Sequence, residues 1–173
     1  MNPGAEPPLN AAAIVEVLNR HDVHFVVIGA FAAIAQQAPI AATRDIDLTP
    51  ETTFDNLNRL SDALKELEAQ IRTDAVDGGL PFDHDGKSLA RADFWNLICP
   101  YGEFDISFRP GGFEGGFRDL VARSHKVVVD GIEVPIADLD DVIASKEAAG
   151  RPKDLQVLPI LYRHRANRDA YKG

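Results

Sequence analysis

Apolar positions recur with two different periods along this chain, and the changes of period mark out its elements. After Asn10, a residue suited to cap a helix, Ile14, Val17 and Leu18 fall on one helical face. Residues 24–28 form a short apolar run that Gly29 ends, the pattern of a buried strand. The alanine-rich stretch 30–37 predicts a helix, stopped by Pro39. Over 44–48 charged and apolar residues alternate, as on a strand with one buried face, and Pro50 closes it. Thr53 then caps an amphipathic helix with Phe54, Leu57, Leu60, Leu64 and Leu67 at helical spacing.

The pattern breaks over residues 72–91, which are polar and hold Gly78, Gly79, Pro81 and Gly86, so mostly loop is expected there. Within it, Asp83-His84-Asp85-Gly86 reads as a turn, because the remaining ligands of a calcium-binding loop are missing. Residues 94–99 and 104–108 predict a hairpin turning through Pro100-Tyr101-Gly102-Glu103. Gly111-Gly112 and Gly115-Gly116 flank Phe113 in a connection, and a short helix is expected over 117–124. Residues 126–136 predict a second hairpin on Asp130-Gly131. Two helices follow, at 139–149 and from 153 to about 165. Alternating helices and strands, then hairpins, then a helical end describe an α/β (α+β) fold with a mixed sheet flanked by helices. The expected organisation is a disordered tail over 1–9, a core over 10–137, C-terminal helices packed on it over 138–165, and a second tail over 166–173.

A length of 173 residues suffices for one domain with a sizeable core. No apolar run approaches the roughly eighteen residues that span a bilayer, so no membrane partner is expected. The first residues carry neither a basic group nor an apolar segment, so no secretory signal is expected. The single cysteine, Cys99, rules out an internal disulfide, argues against a Cys-based zinc site and suits a reducing, cytoplasmic setting. The net charge of −9 argues against a polyanionic partner. It is uneven: after Gly150, six Lys/Arg stand against Asp154 and Asp169, or +4, leaving −13 for residues 1–150. That basic end is either a phosphate-facing surface or a solvated helix face with a charged tail.

The informative tripeptide is Asp45-Ile46-Asp47. On a strand, residues two apart point to the same face, so both carboxylates project together while Ile46 enters the core. Two such charges repel unless a cation lies between them, and hard oxygen ligands favour magnesium or manganese. Asp105, between Phe104 and Ile106, is a lone acid in a second apolar strand and needs a partner. If the two strands are neighbours, all three acids converge. Two metals about 4 Å apart could then activate a hydroxyl, brace an α-phosphate and stabilise leaving pyrophosphate. Asp45 and Asp47 would ligate both ions, and Asp105 the catalytic one. Gly29-Ala30, between strand and helix, would let phosphate approach backbone N–H groups, or is a simple turn. His21, His24, His84, His125 and His164 show no ligand spacing, and Phe94 and Trp95 are assigned to the core.

Together, Val26-Val27-Ile28-Gly29-Ala30, Thr43-Arg44-Asp45-Ile46-Asp47-Leu48 and Glu103-Phe104-Asp105-Ile106 resemble the polymerase-β-like nucleotidyltransferase superfamily. The closer similarity is to the AbiEii/MenT-like group of bacterial toxin transferases, through Thr-x-Asp-Ile-Asp-Leu and the later Lys146, Arg151 and Lys153-Asp154. The resemblance implies a nucleotidyltransferase fold and metal-dependent transfer of a nucleotidyl group from a triphosphate such as ATP to a hydroxyl acceptor. It implies Asp45, Asp47 and Asp105 as catalytic and metal-holding groups with Mg2+ or Mn2+. Lys146 becomes a triphosphate ligand beside Gly29, Ala30, Thr43, Arg44 and Arg151, and Asp154 orients Lys146 or Arg151. The toxin group implies a tRNA 3′ end as acceptor and a cognate antitoxin as partner, and antibiotic-modifying relatives imply a small-molecule hydroxyl as the other acceptor class. Ala30 departs from the Ser or Gly expected after Gly29. The alternative, from another class, is a catalytically weak binding module of the same fold, acting as a regulatory or RNA-binding partner.

Overall fold

The computed structural model describes residues 6–173. Asn10 caps α1 (Ala11–Arg20), its side chain accepting from the Ala13 N–H at 3.1 Å, and the helix buries Ile14, Val15, Val17 and Leu18. β1 (Phe25–Ile28) is buried throughout and runs straight into α2 (Gly29–Ala35). β2 (Asp45–Pro50) keeps Pro50 as its last residue. Thr53 caps α3 (Phe54–Glu66), which buries Leu57, Leu60 and Leu64. Phe54 departs from the expected apolar stripe: it is 66% exposed, because at the first residue of the helix it projects beyond the core.

The stretch expected to be mostly loop contains two short elements, β3 (Gln70–Ile71) and α4 (Gly86–Leu89). The Asp85 side chain accepts the Ser88 N–H at 2.7 Å and the Ser88 hydroxyl accepts the Asp85 N–H, so the acidic run serves as a helix cap. β4 (Phe94–Cys99) and β5 (Gly102–Ser107) form the first hairpin, turning at Pro100-Tyr101 alone because pairing resumes between Cys99 and Gly102. After α5 (Phe117–Val121) comes the hairpin of β6 (His125–Val129) and β7 (Ile132–Ile136). α6 (Leu139–Ala149) ends at Gly150 in the left-handed region (φ 59°), as a helix C-terminus favours. α7 (Pro152–Ala170) continues five residues past the expected end. Its last turns carry no apolar stripe; Arg165 and Arg168 instead meet Asp138 and Asp140 at the start of α6, at 3.7–3.9 Å. Those pairs also neutralise part of the basic C-terminal end.

The seven strands form one mixed sheet in the order β3-β4-β5-β2-β1-β7-β6. β2 lies near its centre, antiparallel to β1 and parallel to β5. Ile46, Leu48, Phe104 and Ile106 are fully buried beneath this pair. α2 packs on β1, β2 and α6, and α6 packs on α7. Of the expected N-terminal tail, residues 1–5 lie outside the described residues. The next ones are engaged: Glu6 pairs with Arg44, Leu9 lies against Gly102, and the Asn10 N–H donates to the Tyr101 carbonyl at 2.7 Å. Among the described residues no helix is long and apolar enough to cross a membrane.

Candidate active site

Alternation along β2 and the register of its neighbours assemble the site. Asp45 and Asp47 share one face, and parallel pairing sets Asp47 beside Asp105 and Asp45 beside Glu103. All four acids therefore project from the face opposite Ile46 and Phe104. One carboxylate oxygen from each of Asp45, Asp47 and Asp105 lies within 4.8 Å of the others. They floor a cleft of about 680 Å3 whose lining includes Gly29, Ala30, Thr43, Lys146, Arg151 and Lys153.

Each acid is held by a different device. The Thr43 hydroxyl donates to Asp45 Oδ1 at 2.8 Å. Asp47 lies against Gly29, whose φ of +76° and missing side chain leave room for the carboxylate. Asp105 Oδ1 accepts from Nη2 of Arg72 at 2.9 Å, and Nη1 of the same guanidinium is 3.3 Å from Glu103 Oε2.

The electrostatics show a site short of positive charge. Burial, with Asp45 and Asp105 nearby, pushes the Asp47 carboxyl up to about 7, against the pull of Lys153 and Lys146. Burial pushes Asp105 up to about 6; the Arg72 guanidinium pulls the other way and Asp45 adds to the rise. A hard divalent cation answers all of these at once: oxygen donors alone, three carboxylates within reach of one centre, and negative charge that Arg72, Lys146 and Lys153 offset only in part. The residues present fit magnesium or manganese.

Above the floor, Lys146 is 11% exposed and its Nζ lies 3.3 Å from Oδ1 of the fully buried Asp154. Arg151 Nε donates to Asp154 Oδ2 at 2.7 Å. Burial alone would raise the Asp154 carboxyl, but the Arg151 hydrogen bond and the Lys146 charge prevail and hold it below the usual range. Asp154 therefore reaches both cations.

Of the residues singled out from sequence, Asp45, Asp47, Asp105, Gly29, Ala30, Thr43, Lys146 and Arg151 line this cleft. Arg44 does not. One position from Asp45 on an extended chain, its side chain pairs with Glu6 at a second cleft shared with Arg72. Phe94 is not a core residue: at the outer end of β4 it is 64% exposed and lines this cleft with Asn96. Trp95, on the other face, stacks on Phe82 and donates to the Leu89 carbonyl at 3.1 Å. Sequence reasoning missed Arg72, Lys153 and Arg109 as cleft or carboxylate partners. For Lys153 a signal existed, a cation beside Asp154 in the first turn of a helix; Arg72 gave none, since its partner lies 33 residues away.

No family model matches the sequence, and no curated protein matches it significantly. Solved structures do. TM1012 from Thermotoga maritima, assigned as a nucleotidyltransferase, is similar over 88% of this chain and 89% of its own (TM-score 0.54, 18% identity). The antibiotic-resistance factor ANT(2'')-Ia is similar over 92% and 89% (TM-score 0.55, 13% identity). The lincosamide adenylyltransferase LnuA, solved with lincomycin, is similar over 87% and 92% (TM-score 0.57, 13% identity). The chain has the nucleotidyltransferase fold.

Proposed function

We propose that this chain is a metal-dependent nucleotidyltransferase, moving a nucleotidyl group from a nucleoside triphosphate to a hydroxyl acceptor. The observation that carries this reading is the convergence of three carboxylates within 4.8 Å of one another on the floor of a cleft that also holds Lys146, Arg151 and Lys153. Asp45, Asp47 and Asp105 would hold magnesium or manganese. Bound there, the metal supplies Lewis-acid stabilisation of charge on the reacting phosphate and lowers the pKa of the attacking hydroxyl. Lys146 and Lys153 meet the negative charge of the triphosphate, and Asp154 fixes Lys146 and Arg151 for it. Gly29 and Ala30 let the phosphates approach the backbone.

The acceptor enters from the β4 side, where Phe94 offers a ring face and Arg109 a cation. A tRNA 3′ end, the acceptor of the toxin-like reading, suits that edge: a base stacks on Phe94 and a phosphate meets Arg109. A cognate antitoxin belongs to the same reading. The binding-module alternative draws on Ala30, which offers the phosphates no hydroxyl.

Incubation with each α-labelled triphosphate, manganese and total RNA or small hydroxylated compounds tests this. Label transferred by the wild type and lost in Asp47→Asn is expected. Metal-dependent nucleotide binding without transfer to any acceptor would favour the binding module. Absence of nucleotide binding would remove the transferase reading.

A further inference from the structure

Thr43 binds Asp45 from two residues away and Gly29 only leaves room for Asp47, whereas Asp105 is held by a side chain that comes from the end of β3, two strands across the sheet. The Arg72 N–H donates to the Asn96 carbonyl at 2.9 Å, extending the pairing of β3 with β4 by one residue and fixing where the side chain begins. Its guanidinium then reaches across β4 to β5. There it meets Asp105 Oδ1 at 2.9 Å, Glu103 Oε2 at 3.3 Å and the Leu97 carbonyl at 3.5 Å. Glu103 and Asp105 are two residues apart on one strand, so they present a pair of carboxylates on one face. All three side chains are less than a quarter exposed, so water competes little for these contacts.

We propose that Arg72 is a positioning residue that occupies one oxygen of Asp105 and leaves only the other for metal, so that Asp105 enters the site in one fixed rotation. This rests on the nucleotidyltransferase reading. A planar fork with donors in fixed directions does this; a lysine, with one mobile point charge, bridges the two acids less rigidly. Glu103 holds the guanidinium from the other side, so the fork cannot swing into the cleft. Removing Arg72 has two opposite effects. The site loses a positive charge and Asp105 regains its second oxygen, both of which strengthen binding of a dication. The same freedom to rotate misplaces the ligand and slows the chemistry.

This split distinguishes positioning from simple structural support, which would weaken metal binding and stability together. Arg72→Met, Arg72→Lys and Glu103→Gln are compared with wild type by melting, by calorimetric Mn2+ titration without nucleotide, and by steady-state kinetics. For Arg72→Met, Mn2+ affinity should rise at least threefold and kcat fall tenfold or more. KM for the triphosphate should stay within twofold, and Arg72→Lys should recover part of the rate. Glu103→Gln should lower kcat less than Arg72→Met does. Weaker Mn2+ binding in a variant that melts like wild type would overturn the proposal, as would an unchanged kcat. If Arg72→Met does not fold, Arg72→Lys decides: it keeps the charge, so kcat should fall with Mn2+ affinity at or above that of wild type, and weaker Mn2+ binding or an unchanged kcat would overturn the proposal. If wild type binds Mn2+ but transfers nothing to any acceptor, the transferase reading fails, while the titrations still decide the role of Arg72.

Discussion

A Cβ on Gly29 would stand 2.1 Å from Oδ2 of Asp47, so the absence of a side chain at one residue is what allows the carboxylate at the other. The φ of +76° at Gly29 adds a second requirement for glycine. Gly29→Ala should therefore cost roughly 1–3 kcal/mol of stability. Its Mn2+ affinity should fall as well, because the alanine methyl displaces Asp47. Thermal melts and calorimetry read the two effects; an unchanged Mn2+ affinity would separate Gly29 from the metal site.

The raised carboxyls of Asp47 and Asp105 set the pH dependence of the metal-free protein. A carboxyl at about 7 when folded, against 3.8 otherwise, binds more protons folded than unfolded over that interval. Its contribution is thus fully present below about pH 4 and is lost as pH climbs to 7 and beyond. Asp105 follows the same sign up to about 6. At pH 8 with chelator, Asp47→Asn should be more stable than wild type, by roughly 2–4 kcal/mol at most. Millimolar magnesium or manganese should reverse that order, because it stabilises only the intact site. Mn2+ affinity of wild type should rise between pH 5 and 8 as the protons leave. Melting of both proteins with chelator and with metal, across pH, checks each part.

Lys146 and Lys153 should separate binding from stability. Lys146 is an almost buried partner of a fully buried carboxylate, so Lys146→Ala leaves Asp154 half-compensated and should cost about 1–3 kcal/mol in addition to weakening triphosphate binding. Lys153 is exposed at the cleft, and Lys153→Ala should weaken triphosphate binding with stability changed by less than about 0.5 kcal/mol. Titration with a non-hydrolysable triphosphate, alongside melts, gives both numbers. Equal destabilisation by the two substitutions would contradict the difference in burial.

Phe94→Ala should leave folding within about 0.5 kcal/mol and triphosphate affinity unchanged, because the ring is exposed on the cleft rim. Loss of a stacking contact of about 1–3 kcal/mol should instead raise KM for an acceptor that carries a base. Kinetics with a nucleic-acid acceptor and with a small hydroxylated one distinguish the cases. An equal rise in KM for the triphosphate would place Phe94 on the donor side.

The carboxylates were legible because a strand has a period of exactly two residues per face: Asp45-Ile46-Asp47 leaves no doubt about which side chains travel together. Asp105 was legible as an acid without a local partner. Arg72 was not, since its contacts with Glu103 and Asp105 depend on pairing of β3 with β4 and of β4 with β5, which no local pattern records. Phe94 misled for the opposite reason: an aromatic residue heading an apolar strand looks like core, yet it shares with Asn96 the face of β4 that fronts the open cleft. The length of α7 was hidden because charge pairs with α6, rather than an apolar stripe, hold its last turns.

β2 carries two of the three acids and is flanked by a strand on each side, whereas Lys146, Arg151 and Lys153 stand on α6, α7 and the bend between them, with much of α7 facing solvent. Amide hydrogens of β2 should therefore exchange with deuterium only through near-global opening, and those of α7 through smaller fluctuations. As denaturant is added, triphosphate binding should therefore fail at a lower concentration than Mn2+ binding, because the carboxylates keep their spacing after the helices that carry the cations have loosened.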